Sequence, residues 1–199
     1  MSAAAHEHVD RNDEFLERAF RELLIERGVL TQAEVDARVE LMYAREGAAL
    51  GQRVVARAWV DGAFRARLLA DGSSAVRELG IEIGALKLVV VENTPQVHNL
   101  IVCTLCSCYP RMLLGMAPDW YKSLGYRSRA VREPRALLAE FGLELDADRT
   151  LRVHDSTADM RYLVLSMRPV HTESFEETAL ASLVTRDSMI GVAEVLPPA

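Results

Sequence analysis

Three cysteines fall within six residues, Cys103-Thr104-Leu105-Cys106-Ser107-Cys108, and the 199-residue chain holds no others. Cysteines used for packing would scatter through a core, so a cluster this tight points to chemistry. An odd number, in a chain opening Met1-Ser2-Ala3-Ala4-Ala5-His6 without a basic-then-apolar export pattern, argues against a disulfide framework and for a cytoplasmic setting. Three soft thiolate donors spaced C-x-x-C-x-C can face one metal ion if the backbone curls around it. Zinc ordinarily takes four protein ligands from two separated pairs, and the sequence offers no second pair. His98, five residues upstream, could complete a Cys3His set, although a single His on a strand is more often a satisfied structural residue. An iron–sulfur cluster would want a fourth cysteine, and a redox sensor needs only two. The working reading is a metal centre on this bend; the alternative from another class is a non-catalytic thiol metal-binding or redox module.

The surroundings of the cysteines are basic although the chain is acidic. Between positions 111 and 135, Arg111, Lys122, Arg127, Arg129, Arg132 and Arg135 stand against only Asp119 and Glu133. Cations beside thiolates favour the ionised form, whereas any one of these arginines taken singly reads as solvated or paired at the surface. The net charge of −6 leaves no overall positive field for a phosphate backbone, which excludes nucleic acid as a partner. The longest apolar stretches, near 88–91 and 100–106, fall far short of the roughly 18 to 20 residues a bilayer span needs. A hydrophobic content of 50% with 26% charged residues fits one folded domain with or without a helical extension, and excludes a disordered or collagen-like chain.

The elements that must position the cysteines can be read from periodicity. Residues 1–12 form a polar tail, disordered in this reading, with too few histidines in His6 and His8 for a metal role. From Asp13, Phe15, Ala19, Phe20, Leu23 and Leu24 recur at helical spacing until Gly28. Thr31-Gln32-Ala33-Glu34 is a capping box opening a second helix with the stripe Val35, Val39, Met42 and Tyr43. These helices make an N-terminal arm over 13–46, and 47–199 forms a metal-binding catalytic domain of α+β class. That domain begins with helix over 48–58, then one helix from the break at Trp59-Val60-Asp61 through Phe64, Leu68, Leu69, Ala75, Val76 and Leu79 to Gly80. Leu86 to Val91 and Val97 to Val102 are strands separated by the turn Glu92-Asn93-Thr94-Pro95, and the second runs straight into the cysteines. Beyond them come a helical turn at 118–122, a strand from Tyr126 to Val131, and a helix from Pro134 to Phe141 stopped by Gly142. Strands at 151–153 and 161–165, a helix near 175–184 and an apolar segment at 189–195 complete the chain. Trp120, Tyr126 and Tyr162 read as core or interface aromatics.

With those residues in place, a specific resemblance emerges. Val91-Glu92-Asn93-Thr94-Pro95, Val97-His98-Asn99 and Val102 through Pro110 resemble the claw segment of the nitrile hydratase α subunit. The likeness continues in Arg53 to Leu69, Trp120-Tyr121-Lys122, Tyr126-Arg127-Ser128-Arg129, Val131 to Arg135, Asp155-Ser156-Thr157-Ala158, Arg161 to Leu165 and Thr185 to Ala193, covering roughly 14 to 193. A triplet embedded in matching flanks is far more specific than a triplet alone. The resemblance implies a non-corrin trivalent metal with Cys103 as axial thiolate and Cys106 and Cys108 as equatorial sulfurs. The backbone nitrogens of Ser107 and Cys108 complete five ligands, and the sixth position is left open. It also implies oxidation of Cys106 to sulfinate and Cys108 to sulfenate. Thr104, where iron-type relatives tend to have serine, is similar to the cobalt-type motif and favours cobalt(III) over iron(III).

The implied reaction is hydration of a small-molecule nitrile to its amide, a hydro-lyase chemistry, by water that is metal-bound or delivered through the Cys108 sulfenate. The implied partners are a β-type subunit that the arm clasps in a heteromer, and a metallochaperone or activator. The resemblance also has departures. The family commonly continues Tyr-Pro-Trp-Pro where this chain has Tyr109-Pro110-Arg111-Met112, which suits a larger, more polar or anionic substrate. Gly84 stands where many relatives carry glutamine, and His154 where tryptophan is usual. The related thiocyanate hydrolase γ subunit and the nitrile hydratases acting on nucleosides, such as toyocamycin nitrile hydratase, are therefore the alternatives of like chemistry.

Overall fold

The structure is a computed structural model, and it describes residues 11–44 and 48–197, which divide into two compact units at residue 45. The expected tail over 1–10 lies outside the described residues. The first unit holds two helices, α1 (Arg11–Glu26) and α2 (Gln32–Ala44), so helix is already present at residue 11, two positions before the expected start. Gly28, at φ 66°, takes the left-handed conformation that lets the chain leave α1. Thr31 and Glu34 form the expected reciprocal cap: Glu34 Oε2 accepts from Thr31 N at 2.8 Å, and Thr31 Oγ1 accepts from Glu34 N at 3.2 Å. The side chains of Met42 and Tyr43, assigned above to the apolar stripe, lie outside the described residues. Phe15, Leu16 and Phe20 on α1 are each more than half exposed.

The second unit opens with α3 (Ala49–Val60), α4 (Gly62–Ala70) and α5 (Gly72–Glu78). The single helix expected from 61 to Leu79 is thus two. Asp61 and Asp71 each precede a glycine, and each accepts from the backbone three residues on, Phe64 N at 2.9 Å and Ser74 N at 3.1 Å. A side chain that caps a new helix ends the old one. Gly72 is required where it stands, because a Cβ there would lie 2.8 Å from Leu88 O.

Four strands follow the expected positions closely: β1 (Lys87–Glu92), β2 (Val97–Val102), β3 (Thr150–Asp155) and β4 (Met160–Leu165). Their pairing is parallel throughout: β1 runs beside β4 with Lys87 opposite Met160, and β2 beside β3 with Val102 opposite Asp155. Parallel pairs need long crossovers, and the segment from 103 to 149 supplies one through α6 (Arg111–Leu114), α7 (Asp119–Lys122), α8 (Leu124–Arg132) and α9 (Pro134–Glu140). Helix α8 overturns the strand expected from Tyr126 to Val131. Ser123 caps it by accepting from Tyr126 N at 3.0 Å, and its buried residues Tyr126 and Ala130 are four apart, one helical face and not an alternation. After β4 come α10 (Glu177–Leu183) and α11 (Arg186–Ile190), the latter opened by a capping box between Thr185 and Ser188, just ahead of the apolar segment expected at 189–195.

The class is α+β, and β2 is its most deeply buried strand, with Leu100, Ile101 and Val102 at 1% exposure or less. Among the described residues no helix is long and apolar enough to cross a membrane.

Candidate metal centre

Strand β2 carries the chain to the cysteines from inside the core. Its pairing persists one residue beyond β3, where Ser156 N donates to Val102 O at 2.7 Å, and the backbone then leaves the strand at Cys103. The bend folds back on itself, and Cys106 N donates to Cys103 Sγ at 3.3 Å. Cys103 Sγ lies 3.4 Å from Cys106 Sγ, and Cys106 Sγ 3.0 Å from Cys108 Sγ. All three sulfurs fall within 4.8 Å of one another. Cys103 is fully buried and Cys108 only 9% exposed, whereas Cys106 faces solvent.

These environments separate the thiols. Hydrogen bonds from Cys108 and Cys103 lower the Cys106 pKa to about 7, and the backbone N–H groups of Cys108 and Ser107 add to the effect. Burial, and then the bond with Cys106, pushes the Cys108 thiol up to about 12. Three soft sulfurs converge within 4.8 Å of one another on one bend. That donor set fits a thiophilic transition ion. It does not fit a hard oxygen-seeking cation.

The bend is held by residues from three other elements. Asp155, at the end of β3, accepts from Thr104 N at 2.9 Å through Oδ1 and from Thr104 Oγ1 at 2.5 Å through Oδ2. Arg127 on α8 donates to Cys103 O at 3.1 Å and Thr104 O at 2.8 Å. Tyr121 on α7, fully buried, donates to Cys108 O at 2.9 Å, and Tyr126 on α8 donates to Ile101 O at 2.6 Å. The rings of Trp120, Tyr121, Tyr126 and Phe141 pack edge to face or tilted at 4.8–6.3 Å behind this scaffold, which makes Trp120 and Tyr126 core aromatics.

Other expected residues take different places. His98 is fully buried and spoken for: Nε2 donates to Gly191 O at 2.8 Å and Nδ1 accepts from Asn93 Nδ2 at 3.3 Å. It is a structural histidine and stands outside the sulfur cluster. Of the basic run, Arg127 alone has hydrogen bonds to the bend among the described contacts. Lys122 faces Asp119, Arg129 is held by Glu133 and Glu140, and Arg135 donates to the carbonyls of Leu145, Asp146 and Arg149. Arg161, outside that run, is the cation whose charge favours ionised Cys108, while its guanidinium holds the carbonyls of Thr157, Ala158 and Met160. Arg161 also lines a small apolar cleft with Ile83, Leu88, Pro110, Met112 and Leu113, directly after the bend. Gly84 has φ 67°, and His154 donates from Nε2 to Asn99 Oδ1 at 2.8 Å while its ring lies 5.0 Å from that of Tyr162.

No spacing in the sequence connects Thr104 with Asp155, 51 residues on, or with Arg127 on a segment misread as strand. The parallel register of β2 with β3 and the crossover helices bring them together.

Comparison with known proteins agrees with this geometry. The family model described as nitrile hydratase, alpha chain, matches residues 11–193. The chain is 48% identical over 182 residues to the low-molecular weight cobalt-containing nitrile hydratase subunit alpha of Rhodococcus rhodochrous, covering 91% of this chain and 88% of that one. It is 42% identical over 197 residues to the thiocyanate hydrolase subunit gamma of Thiobacillus thioparus, covering 92% and 80%. A solved Fe-type nitrile hydratase from Comamonas testosteroni Ni1, a double mutant, superposes with a TM-score of 0.88 at 42% identity, covering 95% of this chain and 93% of the other. With a family match over nearly its whole length and a cysteine bend converging as the family's motif requires, this chain belongs to the nitrile hydratase alpha-chain family.

Proposed function

We propose that this chain is the metal-holding alpha subunit of a cobalt-dependent nitrile hydratase, which adds water across the C≡N bond of a nitrile to give the amide. The observation that carries the reading is the convergence of three sulfurs within 4.8 Å on one bend. Cys103, Cys106 and Cys108 supply sulfur ligands, and Ser107 and Cys108 supply backbone nitrogens. A trivalent ion there contributes Lewis acidity toward the nitrile. Thr104 and the cobalt-containing relative support cobalt over iron.

The chain's own residues do the remainder. Fully buried Cys103 is kept from solvent, exposed Cys106 is the most open to oxygen and goes to sulfinate, and Cys108, buried at the edge of the bend, goes only as far as sulfenate. Cys106 and Cys108 are thus the catalytic side chains, with the Cys108 oxygen placed to attack the nitrile carbon or to orient the water that does. The carbon gains the oxygen of one water, and the nitrogen gains its two hydrogens. The exposed apolar side chains of α1, Phe15, Leu16, Phe20 and Leu23, support a β-type partner clasped by the helical arm. A metallochaperone is the expected route of loading.

Metal analysis with intact mass tests the proposal on the chain co-produced with its partner in cobalt-supplemented medium. The expected result is near-stoichiometric cobalt and a gain of about three oxygens, two on Cys106 and one on Cys108. Zinc on unmodified thiols would refute it in favour of a thiol metal-binding module. A second reading, thiocyanate hydrolysis, draws support from the gamma-subunit relative and from Arg111 and Met112 in place of an aromatic wall. Amide formation from nitriles against carbonyl sulfide release from thiocyanate distinguishes the two.

A further inference from the structure

The peptide unit between Cys103 and Thr104 is gripped at both polar ends by opposite charges. Its N–H points to the Asp155 carboxylate at 2.9 Å, and its C=O receives the Arg127 guanidinium at 3.1 Å. The same guanidinium takes the next carbonyl, Thr104 O, at 2.8 Å. Two donors in a fixed fork on successive carbonyls define the orientation of both peptide planes, and a charged donor makes such bonds stronger than neutral ones. The planes on either side of a Cα determine where its Cβ points; those flanking Cys103 are the gripped Cys103–Thr104 unit and the Val102–Cys103 unit, whose carbonyl accepts from Ser156 N at 2.7 Å. The grip and the β3 pairing together therefore set the direction of the Cys103 sulfur, the only fully buried one of the three. Helix α8 is itself anchored on the strand, since Tyr126, the residue before Arg127, donates to Ile101 O at 2.6 Å. The helix therefore reads the end of β2 at one residue and the start of the bend at the next.

Resting on the metal-centre reading above, we propose that Arg127 is a positioning residue that preorganises the bend for metal, acting through the Cys103 and Thr104 carbonyls. Its hydrogen bonds go to the Cys103 and Thr104 carbonyls and not to the sulfurs. It holds the backbone so that Cys103 presents its sulfur at the point where Cys106 and Cys108 converge, and an ion entering the bend then has less chain to order. Outer residues that orient metal ligands typically carry about 10- to 100-fold in affinity, and Arg127 belongs in that range.

The test uses the full chain with its partner, in wild type and the variants Arg127→Gln and Arg127→Lys. Arg129→Gln serves as a control on the same helix, because Arg129 bonds Glu133 and Glu140 and not the bend. Cobalt content per chain, the rate of cobalt loss to a chelator, and the sulfur-to-metal charge-transfer absorption are measured beside the melting temperature. Arg127→Gln is expected to lose cobalt about tenfold or more faster and to shift the absorption band, with Arg127→Lys restoring part of the loss and Arg129→Gln matching wild type. Equal retention and an unchanged band in folded Arg127→Gln would overturn the proposal while leaving the metal centre standing. A similar loss in Arg129→Gln would overturn it too, by assigning the effect to general helix stability. Wild type that holds no cobalt would refute the metal-centre reading itself, and this inference with it.

Discussion

Replacing Gly191 with alanine should unlatch the strand that delivers the cysteines. Gly191 ends α11 at φ 93°, a conformation that strains any residue with a Cβ. Here that atom would lie 1.9 Å from Asn99 O and 3.1 Å from Leu100 Cα, both backbone of β2, which cannot swing aside as a flexible side chain would. The carbonyl of Gly191 is also the acceptor for buried His98 Nε2 at 2.8 Å. Two costs therefore arise together: about 1–3 kcal/mol for the strained conformation and about 1–3 kcal/mol for overpacking against β2; alanine keeps the carbonyl that His98 uses, so any shift that relieves the overlap must also preserve that bond. Even the low ends imply a loss of at least about 2 kcal/mol, or about 4 °C or more in melting temperature for a chain of this size. Thermal unfolding followed by circular dichroism measures it, with Gly62→Ala as reference, because a Cβ at Gly62 meets nothing within 4 Å and its φ is not positive. A melting temperature for Gly191→Ala within about 2 °C of wild type would refute the idea that α11 pins β2.

Other outcomes follow from the same contacts. Tyr121→Phe keeps the buried ring but leaves Cys108 O without its donor, and urea unfolding should register a loss of about 1–3 kcal/mol. His98 is held below the ordinary imidazole value chiefly by burial, with the Gly191 and Glu194 contacts opposing and Arg149 reinforcing the shift. Its stabilising contribution is therefore complete above the unfolded value of about 6.5, declines below it, and is lost as pH falls through the lower folded value. His154 is lowered in the same direction, so stability should decline between pH 7.5 and 5 in wild type, and His98→Gln should show a shallower slope. An identical slope would refute the assignment. Arg129→Gln, which removes solvent-screened pairs with Glu133 and Glu140, should leave the midpoint of the same unfolding assay close to that of wild type.

What could be read from the sequence was what neighbouring residues settle among themselves. The Thr31 and Glu34 cap, proline at the start of α9, the end of that helix before Gly142, and the four strand positions all arise from interactions spanning a few residues. The C-x-x-C-x-C spacing likewise held its own chemistry, since three thiols within six residues need only a bend to meet. Local pattern misled where a short side chain intervened. Asp71 capped a new helix in mid-run, and Ser123 started a helix where Tyr126 to Val131 suggested a strand. Tertiary structure alone decided that β1 and β2, adjacent in sequence, would pair with β4 and β3. Parallel partners come from distant segments, chosen by how the crossover helices pack and not by any local period. The same register set Asp155 opposite Val102 and so against Thr104, and it brought Arg127 to the carbonyls of the bend. The sulfurs are encoded in six consecutive letters; their aim depends on charges 24 and 51 residues away, because only a folded core can fix a loop that has no repeating hydrogen bonds of its own.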